Sequence, residues 1–276
     1  MKEKELIEFI NAGISIKRKE KLKEINIKIY EDDFIGIYGL NGSGKSLLAE
    51  LLGMEMKVTA GTISKASNLK LSVVSSAERK RMLEEDRYND DSEFMEGKTD
   101  PGRSVSDIFD IAVNENVTKN ERDKYIELFS IEHILDRGIK FLSTGEFRKM
   151  MIVRSLLSKP DILLIDDPYT GLDINTRNKL EEQMNFIRNE VKSLILLSGR
   201  LDDLKDVGRC FLLDNMTLNE FDDTQSIKNE ISKNSGLILP VHKADKLVEN
   251  KNDDTQSGTE LIKTVKIPLP ATALSS

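Results

Sequence analysis

Eight residues constrain this chain more than any other stretch: Gly39-Leu40-Asn41-Gly42-Ser43-Gly44-Lys45-Ser46. They follow directly on a compact apolar run, Phe34–Tyr38, and lead into Leu47, Leu48, Leu51 and Leu52 at helical spacing. The pattern is G-x-x-x-x-G-K-S/T set between a strand and a helix. Glycines let the backbone wrap closely around phosphates, and the loop N–H groups with the helix N-terminus supply positive potential. Lys45 can then reach the β- and γ-phosphates, and Ser46 is placed to ligate Mg²⁺. Gly39, Asn41, Gly42, Ser43, Gly44, Lys45, Ser46 and Leu47 are therefore the expected nucleotide-binding residues. A plain glycine-rich turn is the competing reading, and it leaves the strand before and the helix after unexplained.

The rest of the chain gives that loop a setting. Ile25, Ile27 and Ile29 alternate with polar residues, the period of a half-buried strand, and further strands are predicted at Leu69–Val74, Ile162–Ile165, Leu194–Leu197 and Cys210–Leu213. Between about Ala77 and Leu157 the pattern is mainly helical, with helices near Val105–Val113 and Glu121–Phe129. A further helix over Glu146–Leu157 carries Phe147, Met150, Met151, Val153, Leu156 and Leu157 on one apolar face. Asp86–Arg103 is polar and contains Pro101-Gly102, which predicts an exposed loop or lid. Alternating strands and helices predict an α/β fold with a mostly parallel sheet, an N-terminal antiparallel β portion and an inserted helical subdomain. The expected domain limits are 1–231 for the nucleotide-binding domain, about 77–157 for the helical subdomain, and 232–276 for a C-terminal extension, mobile or a linker.

Composition narrows the setting. With 32% charged and 38% hydrophobic residues among 276, the balance is globular, not disordered. No apolar stretch approaches the roughly 20 residues of a membrane span. The first residues, Met1-Lys2-Glu3-Lys4-Glu5, mix both charges and resemble neither a secretory signal nor a transit peptide. The single cysteine, Cys210, cannot form an internal disulfide, so a reducing, cytoplasmic location is expected. Lys and Arg total 41 against 48 Asp and Glu, a net charge of −7, so no nucleic-acid partner is expected.

Two further motifs complete the pattern. Ile162-Leu163-Leu164-Ile165-Asp166-Asp167 is an apolar strand ending in two acids, the Walker B arrangement. It puts Asp166 beside the Mg²⁺ shell and Asp167 where a water-activating carboxylate sits; alone, such a pair is also an ordinary strand end. Leu142-Ser143-Thr144-Gly145-Glu146 opens the amphipathic helix, with Ser143 preceding Asp166 by 23 positions. This resembles the signature sequence of ATP-binding cassette (ABC) proteins, and Gly171-Leu172-Asp173 resembles their D-loop. The resemblance covers about residues 5–230, and in detail is similar to the soluble photorepair or molybdenum-transport subgroup. It implies a P-loop ATPase fold, ATP and Mg²⁺ as cofactors, and a second cassette, another copy in a homodimer or a heterologous chain, paired head to tail. Ser143 and Gly145 would then meet the γ-phosphate held at the partner's Lys45, although Ser143-Thr144 also reads as a plain helix N-cap. A membrane permease is the further partner implied.

Several positions depart from that family pattern. The catalytic acid is usually Glu, and here it is Asp167. Ser198-Gly199-Arg200 follows the strand where a switch histidine belongs, which aligns Gly199 with it. Gln is absent from the first half of the chain, leaving Glu78 as the nearest polar substitute for the Q-loop glutamine. No aromatic lies between Phe9 and Tyr30 to stack on adenine, and Arg18 is either a guanidinium stand-in or solvent-facing. Binding groups are intact while hydrolytic groups are altered. The chain is thus expected to bind Mg-ATP and to hydrolyse it slowly, coupled to transport or remodelling. The alternative is an ATP-gated dimerisation switch with little turnover.

Overall fold

Strand alternation divides the interior into two cores. In the computed structural model, which describes residues 4–89 and 100–235, a six-stranded sheet is built from β3 (Phe34–Tyr38), β5 (Leu71–Val74), β6 (Ile162–Asp166), β7 (Ser193–Ser198), β8 (Arg209–Asp214) and β9 (Thr217–Phe221). Its order is β5-β6-β7-β3-β8-β9, parallel except for the β8–β9 hairpin. Successive side chains point to opposite faces. Ile35, Ile37, Leu164, Ile195, Leu197 and Phe211 share one buried cluster with helix α1 (Lys45–Leu52). Phe34, Leu163, Ile165, Leu194, Leu196 and Leu212 belong to the other, with the remaining helices. Strands covered on both faces read as continuous apolar runs, which is why Ile162–Ile165 and Leu194–Leu197 lack polar alternation.

The first cluster is closed by a separate antiparallel sheet, β2-β1-β4, from β1 (Glu5–Ile16), β2 (Lys19–Tyr30) and β4 (Ala60–Lys65). The second is closed by α2 (Ser76–Tyr88), α3 (Val105–Ala112), α4 (Lys119–Phe129), α5 (Thr144–Leu157) and α6 (Ile174–Glu190). Helices α3, α4 and α5 each start on a capping box: Ser104 with Asp107, Thr118 with Glu121, Ser143 with Glu146. Each box satisfies two otherwise unpaired donors. The apolar face expected on α5 is buried, Phe147, Met150, Met151, Val153, Leu156 and Leu157 all being 3% exposed or less. At roughly 1.5–3 kcal/mol per buried side chain, that face is what ties the helical segment to the sheet.

One expectation changes. The polar stretch Asp86–Arg103 is exposed at Arg87, Tyr88, Asn89 and Pro101 but begins on a buried acid: Asp86 lies in α2, is 3% exposed, and accepts from Arg103 Nε and from the Arg103 backbone N–H at 3.3 Å. A carboxylate with a dedicated guanidinium can be buried, which polarity alone does not reveal. The central part of that stretch, 90–99, lies outside the described residues. Near the other boundary, α7 (Thr224–Ser235) runs through position 231, with Ile227 fully buried. The extension beyond it, 236–276, also lies outside the described residues.

Candidate functional site

Parallel pairing brings three strand ends side by side. β6 and β7 pair Asp166 with Leu197, and β3 and β7 pair Tyr38 with Ser198. The loop after β3, the two acids ending β6 and the Ser198-Gly199 step after β7 are therefore adjacent. Such carboxyl-end crevices of parallel sheets are where ligands bind.

The loop itself is a preformed cradle. Gly42 and Gly44 hold φ of 85° and 104°, a region that side chains disfavour, so the chain can curl before α1 begins at Lys45. Lys45 is 6% exposed and folds back over the loop, donating to the Gly39 carbonyl at 2.9 Å and the Leu40 carbonyl at 3.4 Å. Ser46 Oγ donates to Asp166 Oδ2 at 3.1 Å across 120 positions of sequence. Two buried polar atoms in this cradle, Ser43 Oγ and Asp166 Oδ1, have no hydrogen-bond partner among the described residues. Buried polar atoms without partners are rare and require explanation. Burial, and next the Asp167 charge, push the Asp166 carboxyl above the usual carboxylate range, while Ser46, Lys45 and Arg148 pull it the other way. A phosphate chain with a divalent cation supplies what this donor set lacks: an acceptor for Lys45 and the loop amides, and a charge for the unpartnered Asp166 oxygen. The residues present fit Mg-ATP.

Asp167 sits on the same edge. Its backbone is left-handed, φ 48°, its N–H donates to the Leu197 carbonyl at 2.8 Å, and its Oδ1 accepts the Gly199 N–H at 3.3 Å. A Cβ at Gly199 would stand 3.5 Å from both Lys45 Nζ and Asn41 Oδ1, so this glycine borders the cradle directly. The polar groups around it are engaged elsewhere. Ser198 Oγ donates to Asp203, and Asp203 also takes Arg177 at 2.6 Å. Glu78 turns away into an ion pair with Arg154 of α5, and a second with Arg81 at 3.6 Å. Arg18 lies exposed in the turn between β1 and β2.

Ser143 and Gly145 are not brought to this cradle; among the described residues no hydrogen bond joins them to Gly39–Leu47. Ser143 is exposed and caps α5, its Oγ accepting the Glu146 N–H at 3.2 Å while Glu146 accepts the Ser143 N–H at 2.8 Å. Gly145 faces Leu172, and Gly171 faces Thr144, so the signature turn packs on the Gly171-Leu172-Asp173 turn of its own chain. Asp173 in turn caps α6, accepting from Asn175 and Thr176 N–H at 3.0 Å.

Comparison with known proteins agrees with this geometry. The family model described as ABC transporter matches residues 22–170, more than half of the chain. The chain belongs to the ABC transporter family. Similar cassettes include the ABC transporter ATP-binding protein ModF of Escherichia coli (strain K12), 32% identical over 171 residues, which are 61% of this chain and 34% of that protein. The molybdenum import ATP-binding protein ModC of Haemophilus influenzae is 27% identical over 230 residues, 79% of this chain and 64% of ModC. The zinc import ATP-binding protein ZnuC of Mannheimia succiniciproducens is 28% identical over 192 residues, 70% of this chain and 66% of ZnuC. The matches thus span about a third of ModF and a little under two thirds of the other two. Among solved structures, an ATP-binding subunit of an ABC transporter superposes with a TM-score of 0.64 at 17% identity, over 82% of this chain and 93% of that one. A nucleotide-free ATP-binding cassette gives 0.59 at 19% identity, over 83% and 95%. The fold is that of an ABC cassette.

Arg148 was not singled out from sequence. It lies in α5 between Phe147 and Lys149, half-buried, and it donates to the main-chain carbonyls of both Asp166 and Asp167. Nothing in the sequence separates it from its neighbour Lys149 or from Arg154 in the same helix.

Proposed function

We propose that this cassette binds Mg-ATP in the Gly39–Leu47 cradle and hydrolyses it slowly, as the ATPase of a transport or remodelling assembly. The observation that carries the reading is the unpartnered, buried Asp166 Oδ1 beside Ser46 and Lys45. Ser46 and Asp166 are the residues for the metal, and Lys45 with the loop amides for the phosphates. Mg²⁺ supplies neutralising charge at the β- and γ-phosphates when bound. Asp167 orients the attacking water. Its carboxylate is one methylene shorter than that of Glu, a retreat of about 1 Å, and misplacement of that size costs about 100-fold in rate. Gly199 offers no side chain to the γ-phosphate, which lowers turnover further.

Ser143 and Gly145 complete the site of a second cassette, a second copy or a different chain, in a head-to-tail pair. Their exposure at a helix N-terminus suits a phosphate clamp. The relatives named for molybdenum and zinc import support a membrane permease as the further partner and a cytoplasmic location. Among the described residues no helix is long and apolar enough to cross a membrane. Residues 1–231 form the nucleotide-binding domain in this proposal, with 77–157 as its helical subdomain and 232–276 as an extension. The altered Asp167 and Gly199 also favour a second reading, in which ATP drives pairing and is scarcely consumed. Measuring ATP turnover and ATP-dependent dimerisation on one preparation separates the two: turnover that keeps pace with dimer cycling supports the ATPase, and stable ATP-bound dimers with almost no turnover support the switch.

A further inference from the structure

The signature helix carries a cation with a task of its own. Arg148 lies three residues beyond Gly145 on α5, and its guanidinium reaches the end of β6. One nitrogen donates to two main-chain oxygens, the carbonyl of Asp166 at 3.4 Å and the carbonyl of Asp167. No ion pair joins Arg148 to a carboxylate among the described residues, so its bonds grip the backbone and not the acid side chains. That backbone needs holding. Asp167 is in the left-handed region at φ 48°, which Asp adopts as a single residue when local hydrogen bonds hold it. Its conformation is fixed from three sides: by β7, through its N–H on the Leu197 carbonyl; by the following turn, through Thr170 N–H on its own carbonyl at 3.2 Å; and by α5, through Arg148. With those bonds made, Asp167 Oδ1 meets the Gly199 N–H at the edge of the phosphate cradle.

A different arginine holds the signature turn. Arg79 of α2 donates to Thr144 Oγ1 at 3.4 Å and stands 5.1 Å from the centre of the Phe147 ring, so the first turn of α5 is pinned to α2 by one arginine. Arg148, just past that first turn, joins the same helix to the catalytic edge. Burial lowers the Arg148 pKa from its ordinary value, while the charges of Asp167 and Asp166 act to raise it.

We propose that Arg148 is a positioning residue: by clamping the Asp166 and Asp167 carbonyls it sets the direction of the Asp167 carboxylate, and it links the orientation of the signature helix to the catalytic edge of the same cassette. The inference rests on the reading of Asp167 as the water-orienting acid. It is tested on the full chain with Arg148→Ala and Arg148→Lys, each alone and combined with Asp167→Asn. In the nucleotide-free protein, Arg148→Ala is expected to speed amide hydrogen exchange at Asp167 and Gly199 while the interior of α5 stays protected. With Mg-ATP, its dissociation constant should stay within about twofold and single-turnover hydrolysis should fall about 10- to 100-fold, the range of a positional error near 1 Å. Guanidinium in the tens of millimolar range, or Arg148→Lys, should restore part of the rate. In the Asp167→Asn background Arg148→Ala should cost little more, because both changes remove one unit of function. Unchanged exchange at Gly199, or an equal loss of rate in both backgrounds, overturns the clamp. If Asp167→Asn by itself leaves hydrolysis unchanged, the reading of Asp167 fails, and exchange at Gly199 still decides whether Arg148 holds the loop. Should Arg148→Ala fail to fold, Arg148→Lys with the same exchange measurement carries the test.

Discussion

The two flanks of the nucleotide cradle are built to different standards. On the α1 side, buried Lys45 is bonded to the loop carbonyls and Ser46 to Asp166. On the β7 side, the acid is short, the position after Ser198 has no side chain, and Glu78 is spent on Arg154. In the proposed function affinity for phosphates comes from the first flank and rate from the second, so a change on one should leave the other's observable largely untouched.

The sharpest break in that comparison is Lys45→Ala. It removes the main positive charge on the β/γ-phosphates and should abolish most Mg-ATP affinity with the fold intact. The wild type at ~100 times its dissociation constant should gain about 2.7 kcal/mol of apparent stability, read as a thermal shift that the variant lacks. Equal shifts in both proteins would contradict the assignment of the cradle. Next in size, Asp167→Asn should leave that shift in place and lower turnover about tenfold or more. A drop in affinity with unchanged turnover would reverse the roles of the two flanks.

A smaller effect separates the clamp that faces away from both flanks. Ser143→Arg should leave ATP binding by the monomer nearly unchanged and block ATP-driven self-association of the Asp167→Asn protein, followed by sedimentation. Because Ser143 also caps α5, the variant should lose about 1 kcal/mol of stability, and Ser143→Asp, a good cap, should keep the stability but not the pairing. If ATP promotes no dimer in the Asp167→Asn background at all, the second cassette is a different chain.

The smallest effect is a pH response remote from the site. Lys159 and the Thr118 cap hold the exposed Glu121 carboxyl down at about 2, from an ordinary value of 4.5. A carboxyl lowered in the folded state adds stability above its unfolded pKa and loses it as pH falls through the folded value. Protection of α4 should therefore weaken between about pH 4.5 and 2, and Glu121→Gln should remove that dependence. An unchanged acid profile in the variant would show that Lys159 bonds Glu121 too weakly to matter.

How legible the molecule was in sequence follows from the kind of interaction involved. The parallel strands at Ile162–Ile165 and Leu194–Leu197 and the loop at Gly39–Ser46 are local patterns, apolar runs and glycine spacing, and they appear where expected. β1 did not, because its pairing with β2 and β4 is interrupted by register shifts around Phe9–Ala12, which break the two-residue period. β4 is short and mostly exposed, so it carries little hydrophobic signal. At the site, the P-loop residues and Asp166 were readable because each acts by its own type and place. Arg148, the burial of Asp86 and the engagement of Glu78 with Arg154 were not, since each depends on a partner distant in sequence.

The claim that this cassette binds well and turns over slowly is tested most directly by rebuilding the weak flank. Asp167→Glu restores reach, and Gly199→His adds an imidazole where a Cβ makes only ordinary contacts, at 3.5 Å from Lys45 Nζ and Asn41 Oδ1. The measurement is steady-state hydrolysis at saturating Mg-ATP by the double variant and the wild type, with the ATP dissociation constant taken on the same preparations. Turnover should rise at least about tenfold while affinity stays within about twofold. Unchanged or reduced turnover at unchanged affinity would contradict the account, and would mean that neither the short acid nor the missing side chain limits this protein.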